Sequence, residues 1–180
     1  MTENIRDEHP IRRWFSGLVE SSFQTKLGFC DPSLLDYLAG LLTEYLHVEH
    51  INMLGDGSGR RVEDLSGVLH EIEVERTPQQ EARLREIHRH IGDYTLFWTG
   101  VYPENLKRMQ RRHDRDELLP FFETGKRSYS IASRLSDERT APPKRILELL
   151  SSEFESCVYG LGLVRAEWEH SKKDGPITLL

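Results

Sequence analysis

The stretch 84–106, LREIHRHIGDYTLFWTGVYPENL, constrains the fold more than any other part of the chain. Its first half has the spacing of an amphipathic helix with a charged outer face. From Tyr94 to Tyr102 it carries apolar side chains on every side, and Pro103 then ends the helix. A helix that is hydrophobic all round has to be covered by other parts of the protein. Residues 94–102 are therefore predicted to form the centre of the core.

The remaining chain supplies helices that can cover this stretch. Apolar residues recur at intervals of three and four in six segments. These run approximately over residues 10–28, 32–50, 62–74, 78–101, 118–135 and 143–168. Asp31-Pro32 and Thr77-Pro78 each match a helix N-cap followed by a first-turn proline. Because no long strand-like alternation and no sustained heptad is present, the sequence predicts an all-α fold. We expect a single globular bundle of about six main helices with short connections, and not a coiled coil.

The chain length and the position of its polar segments predict one domain. With 180 residues, the chain is long enough to bury a core without disulfides or metals. Residues 1–9 are expected to fray, residues 10–170 to form a single helical domain, and residues 171–180 to form a polar tail. The loop 52–61, NMLGDGSGRR, is the clearest break inside the domain.

Composition narrows the classes of partner. A formal net charge of −6 opposes nonspecific nucleic-acid binding and contact with an anionic membrane surface. The sequence contains no apolar run long enough to span a membrane and no apolar signal region. It contains only two cysteines, without metal-ligand spacing. These features favour a cytoplasmic protein whose partner is another protein or a second copy of itself, including a homodimer.

Two Glu-x-x-His motifs raise the question of a metal site in the bundle. Helical di-metal proteins use this spacing because it aims both ligands from one helix face. In this chain the motifs are Glu44–His47 and Glu167–His170. At about 100° per residue, His47 and His170 both point away from the apolar stripe of their helices. A metal ion held by Glu44, His47, Glu86 and His90 is therefore disfavoured, and no cofactor is predicted.

A polar stripe on the fourth predicted helix is the best place for a ligand pocket. Glu86, His90 and Asp93 lie on one face, and Asp93 is predicted at the boundary where that exposed face becomes buried. A buried carboxylate requires a partner, such as an Arg or a Tyr hydroxyl. His88 leans toward the apolar side and is interpreted as a core histidine with its hydrogen bonds satisfied. Together with Trp98, these residues are the ligand-binding candidates.

Two basic segments are weaker candidates for contact with phosphate or an acidic partner. Arg60 and Arg61 follow the glycine-rich run 55–59, but no strand precedes it and the P-loop ending is absent. The second segment contains Arg108, Arg111 and Arg112. Acidic residues alternate with these arginines, which is typical of a solvated and self-paired segment.

No catalytic signature of the Ser/His/Asp or Cys/His type is recognisable. The preferred hypothesis is therefore a helical bundle that acts by macromolecular interaction or self-association. The alternative is a small-ligand or metal-binding bundle, with an enzymatic role open, whose pocket lies near His88, His90 and Asp93.

Overall fold

The computed structural model describes residues 10–54, 77–104 and 118–173, with residues 47–54, 118–120 and 172–173 described as helix without their side chains. These residues contain six α-helices and no strand, so the predicted all-α fold is confirmed. The helices are α1 Pro10–Ser22, α2 Pro32–Leu54, α3 Pro78–Val101, α4 Leu118–Arg134, α5 Lys144–Ser152 and α6 Phe154–Lys173. Several predicted segments lie outside the described residues: the N-terminus 1–9, residues 55–61 of the loop 52–61, the helix at 62–74, residues 174–180 of the tail 171–180, and the basic residues Arg60, Arg61, Arg108, Arg111 and Arg112. Residues 52–54 of the predicted loop belong instead to the end of α2.

The junction between α1 and α2 follows the predicted signals. α1 continues into a π-helical turn, Phe23–Leu27, which ends at Gly28 with φ of 70°. This left-handed conformation costs glycine little because it has no Cβ. Asp31 then caps α2, since its Oδ1 accepts hydrogen bonds from the backbone N–H groups of Ser33 and Leu34, both at 3.1 Å. The Asp31 carboxylate also pairs with Arg145 at the start of α5, which ties the two helices together.

α3 begins and ends as the sequence predicts. The Thr77 side chain accepts a hydrogen bond from the Gln80 N–H at 3.3 Å, and the Gln80 side chain accepts one from the Thr77 N–H at 2.8 Å. This reciprocal capping box satisfies two donors that the helix itself leaves unpaired. At the other end, Arg165 Nη1 donates to the Val101 carbonyl oxygen at 2.5 Å.

The single long helix predicted from Pro143 is wrong. The chain breaks at Glu153 and forms α5 and α6. The break allows α5 to pack mainly on α4, while α6 packs mainly on α3 and α1. Gly160 permits close packing of α6, because a Cβ there would overlap the Phe23 ring. α6 also continues to Lys173, three residues beyond the predicted domain end.

The core lies where α3 meets its neighbours. Leu96, Phe97 and Val101 are fully buried, as expected for the stretch 94–102, whereas Trp98 is half-buried. The largest fully buried side chains from the other helices are Val19, Phe23, Leu34, Leu38, Leu42, Tyr129, Leu147, Leu150, Phe154 and Leu161. Burying each aliphatic or Phe side chain contributes about 1.5–3 kcal/mol to folding. α3 packs chiefly on α4 and α6 and also touches α2, so its middle is enclosed from three directions. Among the described helices, none is both long enough and apolar enough to cross a membrane.

Candidate functional site

Asp93 is the polar centre of the described bundle. It lies on α3 and is only 4% exposed. Tyr37 Oη of α2 donates a hydrogen bond to Asp93 Oδ1 at 2.5 Å, and Tyr129 Oη of α4 donates to the same oxygen at 2.7 Å. Arg89 Nη1, one turn earlier on α3, donates to Oδ2 at 2.7 Å. One buried carboxylate therefore joins three helices.

The close approach of α3 and α4 depends on Gly92. A Cβ at this position would lie 2.7 Å from Tyr129 Cε1, inside the contact distance of two carbon atoms. The Tyr129 ring is fully buried and packs at 6.2 Å against the ring of Phe154. Its hydroxyl is thus held at Asp93 by packing on both sides.

The electrostatics of the site follow from its burial. Burial raises the pKa of Asp93, while Arg89 and the two tyrosine hydroxyls act in the opposite direction. Burial and then the charge of Asp93 raise the pKa of Tyr37 and Tyr129 well above 10, so both hydroxyls stay protonated and donate. Burial lowers the pKa of Arg89, but the charge of Asp93 together with the contributions of Tyr37 and Glu86 outweighs it, and the pKa is raised. We assign an ionised Asp93–Arg89 pair because both carboxylate oxygens accept hydrogen bonds.

This arrangement suits a structural role better than acid–base chemistry. Both oxygens of Asp93 already have partners, so a ligand would have to displace Arg89 or a tyrosine hydroxyl. Removing one member of a buried charge pair typically costs about 3–5 kcal/mol because the other charge is left uncompensated. Asp93 therefore specifies how α2, α3 and α4 meet.

The structure confirms the predicted change of exposure at Asp93. On this face of α3 His90 is exposed, whereas Asp93 and Phe97 are buried. Asp93 lies on the buried side of that boundary, where Tyr37 and Tyr129 cover it from two other helices. The expectation of an Arg or a Tyr hydroxyl as its partner is confirmed. Glu86 joins the cluster indirectly, through Arg89 Nη2 at 3.0 Å. His90 is exposed and stacks on the Tyr45 ring at 6.2 Å.

The other two ligand-binding candidates do not converge on Asp93. His88 and Trp98 lie five residues on either side of it, which turns each about 140° away around the helix. Trp98 is half-buried and packs edge-on against the Phe97 ring at 5.4 Å. His88 is buried, as predicted, but its Nδ1 has no hydrogen-bond partner among the described residues. The expectation that its hydrogen bonds are satisfied is therefore not met at Nδ1.

The Tyr45 hydroxyl is a second buried polar group without a described partner. Its ring stacks between His90 and Phe97, the latter at 4.9 Å, and its Oη makes no hydrogen bond to any described residue. Burial, reinforced by the nearby charge of Asp93, raises the pKa of Tyr45 well above 10. The hydroxyl is thus a neutral donor with nothing to donate to in this part of the chain.

The four metal-binding candidates are dispersed where the structure describes them. Glu44 is exposed, and the His47 side chain lies outside the described ones. Glu86 is engaged by Arg85 and Arg89. Among the described side chains, no three His, Cys, Asp or Glu are grouped so that they could hold a metal ion.

A second feature of the surface is the outer face of α6. Tyr159 is 61% exposed, and it is the exposed large hydrophobic residue among the described side chains. At about 100° per residue it shares one face with Gly162 and Ala166, and Leu163 lies beside them. Ala166 is exposed and Leu163 is half-buried. Gly162 is half-buried at the edge of the face toward α3, where a Cβ would lie 3.6 Å from the Gly100 carbonyl oxygen. We call these four residues the α6 outer face; it carries no charge over two turns.

Sequence reasoning missed the two tyrosines that complete the Asp93 site. Tyr37 and Tyr129 fall within the predicted helices 32–50 and 118–135, and the apolar spacing there did not single out either hydroxyl. Arg89 could have been found, because it precedes Asp93 by four residues, the spacing of an ion pair on one helix face. Comparison with family models, curated proteins and solved structures finds no match to this chain.

Proposed function

We propose that the protein acts by binding another protein through the α6 outer face, and not by catalysis. The observation that carries this proposal is the 61% exposed Tyr159 on a face without charge. Single exposed apolar residues are common on proteins. Here Tyr159 is accompanied on the same face by the exposed Ala166 and the half-buried Leu163, and grouped apolar residues mark contact sites more often than single ones. Tyrosine is enriched at interfaces because its ring is apolar and its hydroxyl remains hydrogen-bonded at the rim.

The hydrogen bonds and ion pairs of Asp93 and Glu86 support a binding role over an enzymatic one. Asp93 is the most buried acid of the described residues. Both of its carboxylate oxygens accept hydrogen bonds, from Arg89, Tyr37 and Tyr129. Glu86 is held by two arginines. Neither acid is placed to take a proton from a substrate without breaking an ion pair first.

Charge and cysteine chemistry indicate the kind of partner and the compartment. The formal net charge of −6 opposes a nucleic acid as the partner, which leaves protein. Cys30 and Cys157 are both free thiols. Free thiols fit a reducing compartment, and we include the cytoplasm in the proposal.

Site-specific photo-crosslinking tests the proposal in the cells that produce the protein. A photoreactive phenylalanine analogue replaces Tyr159 in one variant and Ala82, an exposed residue of α3, in the control. We expect a discrete covalent protein adduct from position 159 and none from position 82. Equal or absent crosslinking at the two positions would contradict binding through the α6 outer face.

A second candidate function is binding of a small polar ligand beside Tyr45 and His90, whose rings stack at 6.2 Å. It is favoured by the buried Tyr45 hydroxyl, which has no hydrogen-bond partner among the described residues. Such a group costs about 1–3 kcal/mol unless a partner is supplied. Native mass spectrometry of untagged protein would show a retained small molecule or metal ion that is lost in Tyr45→Phe. An identical, ligand-free mass for both proteins would eliminate this candidate.

A further inference from the structure

We infer that the protein bound by the α6 outer face is a second copy of this chain, with the two α6 helices packed antiparallel. The inference rests on the proposed function and adds the partner and its register. It follows from the order of residues along the face. Glu155 lies at one end of the face and His170 at the other, with Tyr159 and Ala166 between them.

An antiparallel pair makes this face complementary to itself. When the pair is centred between Gly162 and Leu163, Tyr159 of one copy lies against Ala166 of the other. The small side chain of Ala166 leaves room for the tyrosine ring. In the same register, Glu155 of one copy lies opposite His170 of the other, so a carboxylate meets an imidazole that can donate to it.

The surrounding charges favour the same arrangement. Lys126 Nζ of α4 lies 2.8 Å from Glu155 Oε1, which places a cation beside the acidic end of the face. Glu169, whose side chain is 55% exposed and pairs with Arg165 at 2.9 Å, lies beside His170 at the other end. Antiparallel packing brings the Lys126 side of one copy toward Glu169 of the other. Parallel packing would instead set Glu155 against Glu155, which is repulsive.

The size of the face sets the strength of the association. Two turns of helix bury far less than the roughly 1,600 Å² of a standard stable interface. We therefore expect a weak dimer with a dissociation constant in the micromolar range. The Tyr159 ring, one turn from the centre of the contact and opposite Ala166 of the other copy, supplies most of the apolar burial.

Sedimentation velocity on the purified full chain over a range of concentrations tests the dimer. The wild type should shift from the 21.0 kDa monomer toward twice that mass as its concentration rises. Ala166→Glu should weaken the association at least about tenfold, because it places a charge against Tyr159 of the other copy. Ala82→Glu makes the same chemical change on the exposed surface of α3 and should leave the dimer unchanged.

A charge exchange tests the register separately. His170→Glu sets two carboxylates against each other and should weaken the dimer, and Glu155→Lys should remove the attraction. The double variant carries a restored pair in the antiparallel register and should recover most of the wild-type affinity. Circular dichroism of each monomer checks that the fold is retained.

The outcomes separate this inference from the proposed function. A wild type that remains monomeric at high micromolar concentration, with crosslinking from position 159 to a different protein, overturns the second copy but leaves the binding face intact. A wild type that remains monomeric and gives no crosslink from position 159 overturns both. A dimer that Ala166→Glu does not weaken, or that the double variant fails to restore, overturns the antiparallel contact.

Discussion

Tyr129 Oη lies 2.7 Å from Asp93 Oδ1, so a phenol from α4 donates a hydrogen bond to a carboxylate buried on α3. Tyr37 of α2 donates a second hydrogen bond to the same oxygen. Burying an unpaired carboxylate in this position would greatly reduce the stability of the fold. Here the charge of Asp93 is compensated by the Arg89 guanidinium and by hydrogen bonds from two neutral hydroxyls. The cluster therefore fixes the relative positions of three helices, whereas apolar packing alone would tolerate small shifts.

Gly92→Ala should destabilise the protein although alanine is the better helix former. The intrinsic gain of about 1 kcal/mol is outweighed by a Cβ that meets the buried Tyr129 ring at 2.7 Å, and overpacking typically costs about 1–3 kcal/mol. Gly17→Ala is the matched control, because a Cβ at that exposed position of α1 meets nothing within 4 Å. Urea unfolding should show a lower free energy of unfolding for Gly92→Ala and a higher one for Gly17→Ala. Stabilisation by both substitutions would contradict the close approach at Gly92.

The free energy of unfolding of the His88→Leu variant should increase relative to that of the wild type as the pH falls. Burial and then the positive charge of Arg127 lower the pKa of His88 below 6.5. Below pH 6.5 the unfolded chain binds a proton that the folded protein does not, so wild-type stability declines until the pH passes the folded pKa. The leucine variant lacks this loss, and the difference should grow by up to about 1 kcal/mol per pH unit. A pH-independent difference in unfolding free energy would refute the assignment.

Arg165 should not be replaceable by lysine at the end of α3. Its guanidinium donates to the Val101 carbonyl oxygen, pairs with Glu104 at 2.6 Å and Glu169 at 2.9 Å, and lies 4.9 Å from the Tyr102 ring centroid. A lysine ammonium is a point charge and cannot make these contacts together. We expect Arg165→Lys to lose about 1 kcal/mol of stability, and less at high salt because exposed ion pairs are screened. Thermal unfolding identical to wild type would argue against this role.

The helices could be predicted because their signals are local. The capping box of Thr77 and Gln80 and the Asp31 cap are each readable within four residues of sequence. The break at Glu153 was not readable, since neither glycine nor proline stands there and the apolar spacing continues across it. The break lets α5 pack on α4 and α6 pack on α3, so it depends on tertiary contacts that the local sequence does not encode.

The candidate site was only partly predictable for the same reason. Asp93 stands out in the sequence as an acid beside an apolar run, and Arg89 stands one turn before it. Tyr37 is 56 residues away from Asp93 and Tyr129 is 36 residues away. Each also belongs to the apolar face of its own helix, so nothing local marks its hydroxyl as a partner of Asp93.

A double-mutant cycle on Asp93→Asn and Tyr129→Phe tests the central claim, that Asp93 is a structural centre joining α3 to α4. Asp93→Asn should lower the unfolding free energy by about 3 kcal/mol, the low end for a buried pair, because Arg89 keeps Glu86 as an ion partner. Tyr129→Phe should lower it by about 1–3 kcal/mol. Because the two groups share one hydrogen bond, the combined loss should fall short of the sum by at least about 1 kcal/mol. The control cycle pairs Asp93→Asn with Tyr159→Phe, whose exposed hydroxyl should give additive effects. Coupling of that size in the first cycle alone is the predicted result, whereas additivity within about 0.5 kcal/mol in both cycles would contradict it.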